Sequence, residues 1–199
     1  MTDSNPATPP GGDLSYSYRP SLLGAPWSFR LTSGAILSEK GRHSIGTPYD
    51  SVTRVRMSFR PVTMQSQRFL TEIWAKGSPK LTLTSASWKS MVEQERLDQP
   101  YIAFVRALHK RIAATGAPVR YEAGLNPPLY WISVAVSAAT ALGLAALTLR
   151  AIQLQSWVAA AMVGVFLALF TWQVGNYLRR NRPGQYRPDA LPANLLPRS

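Results

Sequence analysis

Arg54, Arg56, Ser58 and Arg60 lie two residues apart, in a segment whose intervening positions are Val55, Met57 and Phe59. Alternate side chains of a strand point to opposite faces. One face of this segment is therefore core, and the other is a cationic row. A guanidinium offers a planar fork of donors that can grip a phosphate bidentately, which an ammonium cannot do. Lys40 and Arg42, in the loop expected just ahead, are candidates to join the row. Phosphate, as carried by an anionic lipid headgroup, is the ligand chemistry that such an array suits. An acidic protein surface suits it too, and an ordinary half-exposed sheet shows the same row to water. Those three readings stay open on sequence alone.

Groups that could trade protons, attack or hold a metal are few. The chain has two histidines and no cysteine, which removes disulfides, thiolate ligands and a cysteine nucleophile. His43 falls in the expected loop and His109 on an expected helix, and each reads as a solvated or capping side chain. Their spacing makes no metal site. Glu93 and Glu95 stand in a mixed run with Arg96 and Asp98, the composition of a solvated charge cluster. The stretch GAPWSFRLTSG has no lysine after a glycine loop, so it is no nucleotide cradle. The expectation is no catalytic residue, no metal, no cofactor and no enzyme.

The elements that would position the cationic row are mostly strands. Ser15 to Arg19, Trp27 to Leu31, Ala35 to Glu39, Arg68 to Ala75 and Lys80 to Ser85 carry strand alternation or composition, with Gly77-Ser78-Pro79 as a turn. Gly41 to Thr47 is expected as a loop. Tyr101, Val105, Leu108 and Ile112 then recur at i, i+4, i+7 and i+11, an amphipathic helix that Pro100 can open and Gly116 can end. Val119 to Glu122 is a candidate last strand. Met1 to Asp13 is expected as a disordered lead, with no apolar core of a secretory signal. The fold class is α+β: an antiparallel meander or barrel over residues 14–124, closed by one C-terminal helix.

Beyond it, Leu129 to Leu149 and Ser156 to Leu178 contain no Asp, Glu, Lys, Arg or His. Each is long enough to cross a bilayer core of about 30 Å as a helix. Only Arg150 to Gln155 separates them, so they read as a transmembrane hairpin with both ends on one side. Arg106, Lys110, Arg111 and Arg120 precede the spans, and Arg179, Arg180, Arg182 and Arg187 follow them. The turn holds Arg150 alone. Basic flanks mark the cytoplasmic side, so both termini are expected there. Residues 179–199 read as a Pro-rich basic tail. This flanking also accounts for much of the net charge of +12. No nucleic-acid reader motif accompanies it, and nucleic acid is not an expected partner. Tyr130, Trp131 and Tyr177 at one border and Trp157 at the other form an aromatic belt. Ala160, Gly164 and Ala168 have the small-xxx-small spacing of close helix packing, within the hairpin or in a homo-oligomer. Two spans without ionisable groups can hardly form a transport pathway alone.

The segments "WSFRLTSGAIL" and "PYDSVTRVRMSF" resemble the pleckstrin-homology-like domains of small bacterial membrane proteins. Phe29, Leu31, Thr32, Gly34, Pro48, Tyr49, Val52 and Val55 carry the resemblance. The segment Phe69 to Trp88 is similar to a narrower group of alpha-proteobacterial proteins. Many members of the family place the hairpin before the domain, whereas here it follows. The resemblance implies a bacterial inner-membrane location and no reaction. Expected, then, is a membrane-tethered binding or scaffolding module for a partner protein, with anionic lipid as a second ligand. The alternative is an accessory subunit of a transport or envelope-assembly complex, acting through its hairpin.

Overall fold

The computed structural model describes residues 14–21, 24–61, 67–89 and 94–197. The expected lead at 1–13 lies outside them. Four strands form a first antiparallel sheet in chain order: β1 Leu14–Tyr18, β2 Trp27–Leu31, β3 Ala35–Lys40 and β4 His43–Pro48. The loop expected over Gly41 to Thr47 is thus largely strand. Only its first two residues turn, with Gly41 at φ +63°, a region open to glycine. His-Ser-Ile-Gly-Thr shows no apolar alternation. It becomes a strand because β3 supplies backbone partners, pairing Lys40 with His43 and Ile36 with Thr47.

The second sheet contains β5 Val52–Pro61, β6 Gln67–Ala75 and β7 Ser78–Thr84, then β10 Arg120–Ala123 and β11 Gly184–Gln185, in the order β11-β10-β5-β6-β7. β8 Ala86–Trp88 and β9 Gln94–Arg96 pair separately. Among the described residues no closed barrel forms. β5 has β6 on one side and β10, in parallel, on the other, which leaves it no edge for β4. The first sheet is fastened to the second through side chains instead: the hydroxyls of Tyr16 and Tyr18 donate to the carbonyls of Thr84 and Thr82.

The helix α1, Asp98–Ala114, buries Tyr101, Phe104, Val105, Leu108 and Ile112 with Phe29, Leu31, Ile36, Val55, Met57, Ile73 and Leu83. This is the stripe that the i, i+4, i+7 spacing predicts, with Gly116 in the left-handed region beyond it. Tyr101 also shares a hydrogen bond of 2.6 Å with Thr71.

Residues 185–197 belong to the same unit as residues 14–123, so the domain takes in more than 14–124. Tyr186 donates its backbone N–H to the Tyr121 carbonyl at 3.2 Å, and Leu195 and Leu196 are buried. What reads as a basic tail is mostly a returning part of the domain.

Residues 124–184 form the other unit. It consists of α2, Pro127–Gln153, and α3, Trp157–Arg180, both long and apolar enough to cross a membrane. Pro127 and Pro128 open α2, where missing amide hydrogens cost nothing. No residue of α2 is buried, and only Ala160 of α3 is. A core helix of a soluble protein would hide its apolar face. These two hide almost none.

At the open end of this unit Gly124 takes φ +79°, and a Cβ there would clash with the Asn181 carbonyl oxygen. Leu125 N–H also donates to that oxygen at 3.0 Å. Gly124→Ala is therefore expected to cost about 1–3 kcal/mol, read as a lower unfolding temperature of the detergent-solubilised chain.

Candidate anion-binding surface

The cationic row does not stand free along its length. β10 runs parallel to β5 with Glu122 opposite Arg56. Arg56 Nε donates to Glu122 Oε2 at 3.0 Å, and its side chain is 14% exposed. Arg54 stacks on the Trp74 ring at 3.8 Å, with Arg56 and Lys80 at 5.6 and 5.7 Å from the same ring. Lys80 is itself paired with Glu72 at 2.7 Å. Ser58, the next position in the row, is buried at 2% exposure. Cation–π and ion-pair contacts therefore occupy the Arg54–Arg56 end, and a covered serine interrupts the row.

Arg60 is exposed, about 20 Å from Arg54 at the rise of a strand. It lines a cleft that Trp27 also lines. Lys40 lies over that same Trp27 ring at 4.0 Å, and burial lowers its pKa. Arg42 is exposed in the turn after Gly41. The fold thus draws Arg60 and Lys40 towards a shared aromatic ring and leaves Arg54 and Arg56 elsewhere. Arg68, directly opposite Arg60 on β6, is the cation that strand alternation alone did not single out. Its place depends on a register that only the paired strands reveal.

His43 is exposed at the first position of β4. His109 is not the solvated or capping side chain expected: it is fully buried. Val105 O, which can only accept, lies 2.7 Å from Nδ1, so that nitrogen carries the proton. Nε2 then accepts from the Tyr186 hydroxyl at 2.8 Å. The rings of His109, Tyr121 and Tyr186 lie 5.6–5.7 Å apart in a mutual cluster. Burial pushes the His109 pKa down to about 4 and the Tyr186 phenol up. A neutral imidazole with both nitrogens engaged is a structural latch between α1 and the returning segment. Glu95 is exposed on β9, and Glu93 lies outside the described residues. Among the described residues, no three His, Asp or Glu side chains gather as a metal site would require.

In the helical unit, Arg179 and Arg182 are exposed and Arg180 is half-buried. The seam between the helices runs through Tyr130, Val134, Ser137, Ala141, Leu144 and Thr148 of α2. On α3 it runs through Ala160, Val163, Gly164, Leu167, Phe170 and Val174. Ala168 is exposed and off the seam: repeated steps of four rotate away from a partner, by about 40° each at 3.6 residues per turn. Hydroxyls of α2 bond back to their own helix, Ser133 to Leu129, Thr140 to Val136 and Thr148 to Leu144 at 2.8–2.9 Å. A Cβ on Gly164 would meet Thr148 Cγ2 at 3.9 Å, an ordinary contact. Gly164→Ala should leave the hairpin intact. Gly164→Leu should force the helices apart, lowering the unfolding temperature of the detergent-solubilised chain.

No protein-family model, curated protein or solved structure matches this chain.

Proposed function

We propose that this chain is a membrane-anchored, non-enzymatic binding module. Its α2–α3 hairpin crosses a bacterial inner membrane, and its β-rich domain is held at the cytoplasmic face to recruit or regulate a protein partner. The observation that carries this reading is the path of the chain. It leaves the domain after Ala123, traces two exposed apolar helices, and re-enters the same domain at Gln185. Departure and return on one side require an even number of crossings, as a two-helix hairpin supplies. The basic flanks give the side. An antiparallel meander in two sheets, followed by one helix, supports the resemblance to pleckstrin-homology-like domains.

Partner capture tests the role of the domain against that of the spans. A photoreactive side chain replaces either Arg42 on the domain or Trp172 on the outer face of α3, both exposed. The module reading expects a discrete protein adduct from position 42 in living cells. Adducts from position 172 alone would instead favour an accessory subunit docking through the hairpin. Turnover of a defined substrate by the purified full-length protein would overturn the non-enzymatic reading.

A further inference from the structure

Arg60 and Arg68 stand directly opposite each other across the β5–β6 ladder. Facing side chains of an antiparallel pair start about 5 Å apart, and like charges there repel. Among the described residues no carboxylate relieves them: Glu122 is engaged by Arg56, Glu72 by Lys80 and Asp98 by Arg96. Arg68 Nε is buried with no hydrogen-bond partner. Burial, and then the nearby Arg60 charge, lower its pKa. Buried donors are rarely left orphaned in folded proteins, so this one asks for an acceptor.

The two arginines line a cleft of about 280 Å³ together with Lys80, Tyr18, Trp27 and Trp88. Glu72 lines it too, already held by Lys80. Three cations thus face one carboxylate, beside aromatic walls.

We propose that this cleft binds a phosphate group, clamped between the guanidinium groups of Arg60 and Arg68. A phosphate has several oxygens arranged around one centre. It can take two donors from one guanidinium fork, including the orphaned Arg68 Nε–H, and still present oxygens to the other. Its negative charge also turns the repulsion between the arginines into shared attraction. The aromatic walls suit a small organic group attached to the phosphate, of about the size of glycerol. The phosphate belongs either to a soluble ester or to a lipid headgroup. This names a ligand for the membrane-module reading and rests on that reading only where the source is lipid.

The test titrates the full chain in maltoside micelles with inorganic phosphate and with glycerol 1-phosphate, against sodium chloride at equal ionic strength. Expected is a saturable rise in unfolding temperature with either phosphate and none with chloride. Arg60→Gln and Arg68→Gln should each weaken binding at least tenfold. Arg68→Gln should also raise the unfolding temperature without phosphate, because it removes the opposed charge. Arg106→Gln, on the exposed face of α1, should bind as the parent does. Equal responses to phosphate and chloride would overturn the proposal, as would unchanged phosphate binding in both glutamine variants. Nanodiscs then separate the sources. A lipid ligand leaves the site filled in phosphatidylglycerol discs and open to glycerol phosphate in phosphatidylcholine discs, whereas a soluble ligand binds equally in both. The micelle titration does not depend on bilayer insertion, so failure of the site and failure of the membrane reading are separately visible.

Discussion

A chain ended after Gly184 is expected to lose much of its domain's stability, although the deleted residues look like a disposable Pro-rich tail. Leu195 and Leu196 are 1% and 8% exposed. Burying a leucine side chain contributes about 1.5–3 kcal/mol, so these two alone are worth roughly 3–6 kcal/mol. The truncation also removes Tyr186, leaving the buried His109 Nε2 without its donor. A whole domain typically holds only about 5–15 kcal/mol in reserve. Denaturant unfolding in maltoside, followed by tryptophan fluorescence, should therefore show a much earlier transition for the truncated chain than for the full chain. Tyr186→Phe keeps the ring and removes only the hydroxyl, and should cost about 1–3 kcal/mol. Equal midpoints for full and truncated chains would mean that the returning segment does not support the domain.

Mild acid should weaken the same region. The His109 pKa lies near 4 in the folded domain against an ordinary 6.5, because burial disfavours the imidazolium. Between those values the unfolded chain takes up a proton that the folded chain refuses. Stability from this group is therefore fully present above pH 6.5 and drains away as pH falls towards 4. The loss is on the order of 3 kcal/mol. The rings packed around His109 belong to Tyr121 and Tyr186, and neither titrates in that window. His109→Gln cannot acquire the charge, so its unfolding midpoint should be lower at pH 7 yet change much less between pH 6.5 and 4.5. A parent protein whose midpoint does not move over that range would contradict the buried neutral latch.

Local chemistry reads well from the sequence. Strand alternation located β2, β3 and β5, spacing located α1, and charge-free runs located α2 and α3, because each signal lies within one element. The loop expected at Gly41 to Thr47 went the other way, since a strand without apolar alternation is decided by its neighbour. The cationic row shows the same limit. Arg54, Arg56 and Arg60 do share one side of β5. What they meet there is decided by register: Glu122 from β10 opposite Arg56, and Arg68 from β6 opposite Arg60. The His109–Tyr186 pair spans 77 residues of chain, and nothing near either residue announces it. Ala168 falls off the seam of the hairpin for a smaller reason, a rotation of helix phase.

Two crossings of the bilayer, with return to the domain that the chain left, are the topology proposed for this protein. With no native cysteine, single-cysteine labelling reads this directly. Leu154→Cys marks the exposed connection between α2 and α3, while Ser44→Cys and Arg187→Cys mark the domain and its returning segment. With a membrane-impermeant maleimide on spheroplasts, position 154 should label at once, and positions 44 and 187 only after the membrane is permeabilised. Labelling of all three positions on the same side, or recovery of the protein in the soluble fraction, would contradict the account.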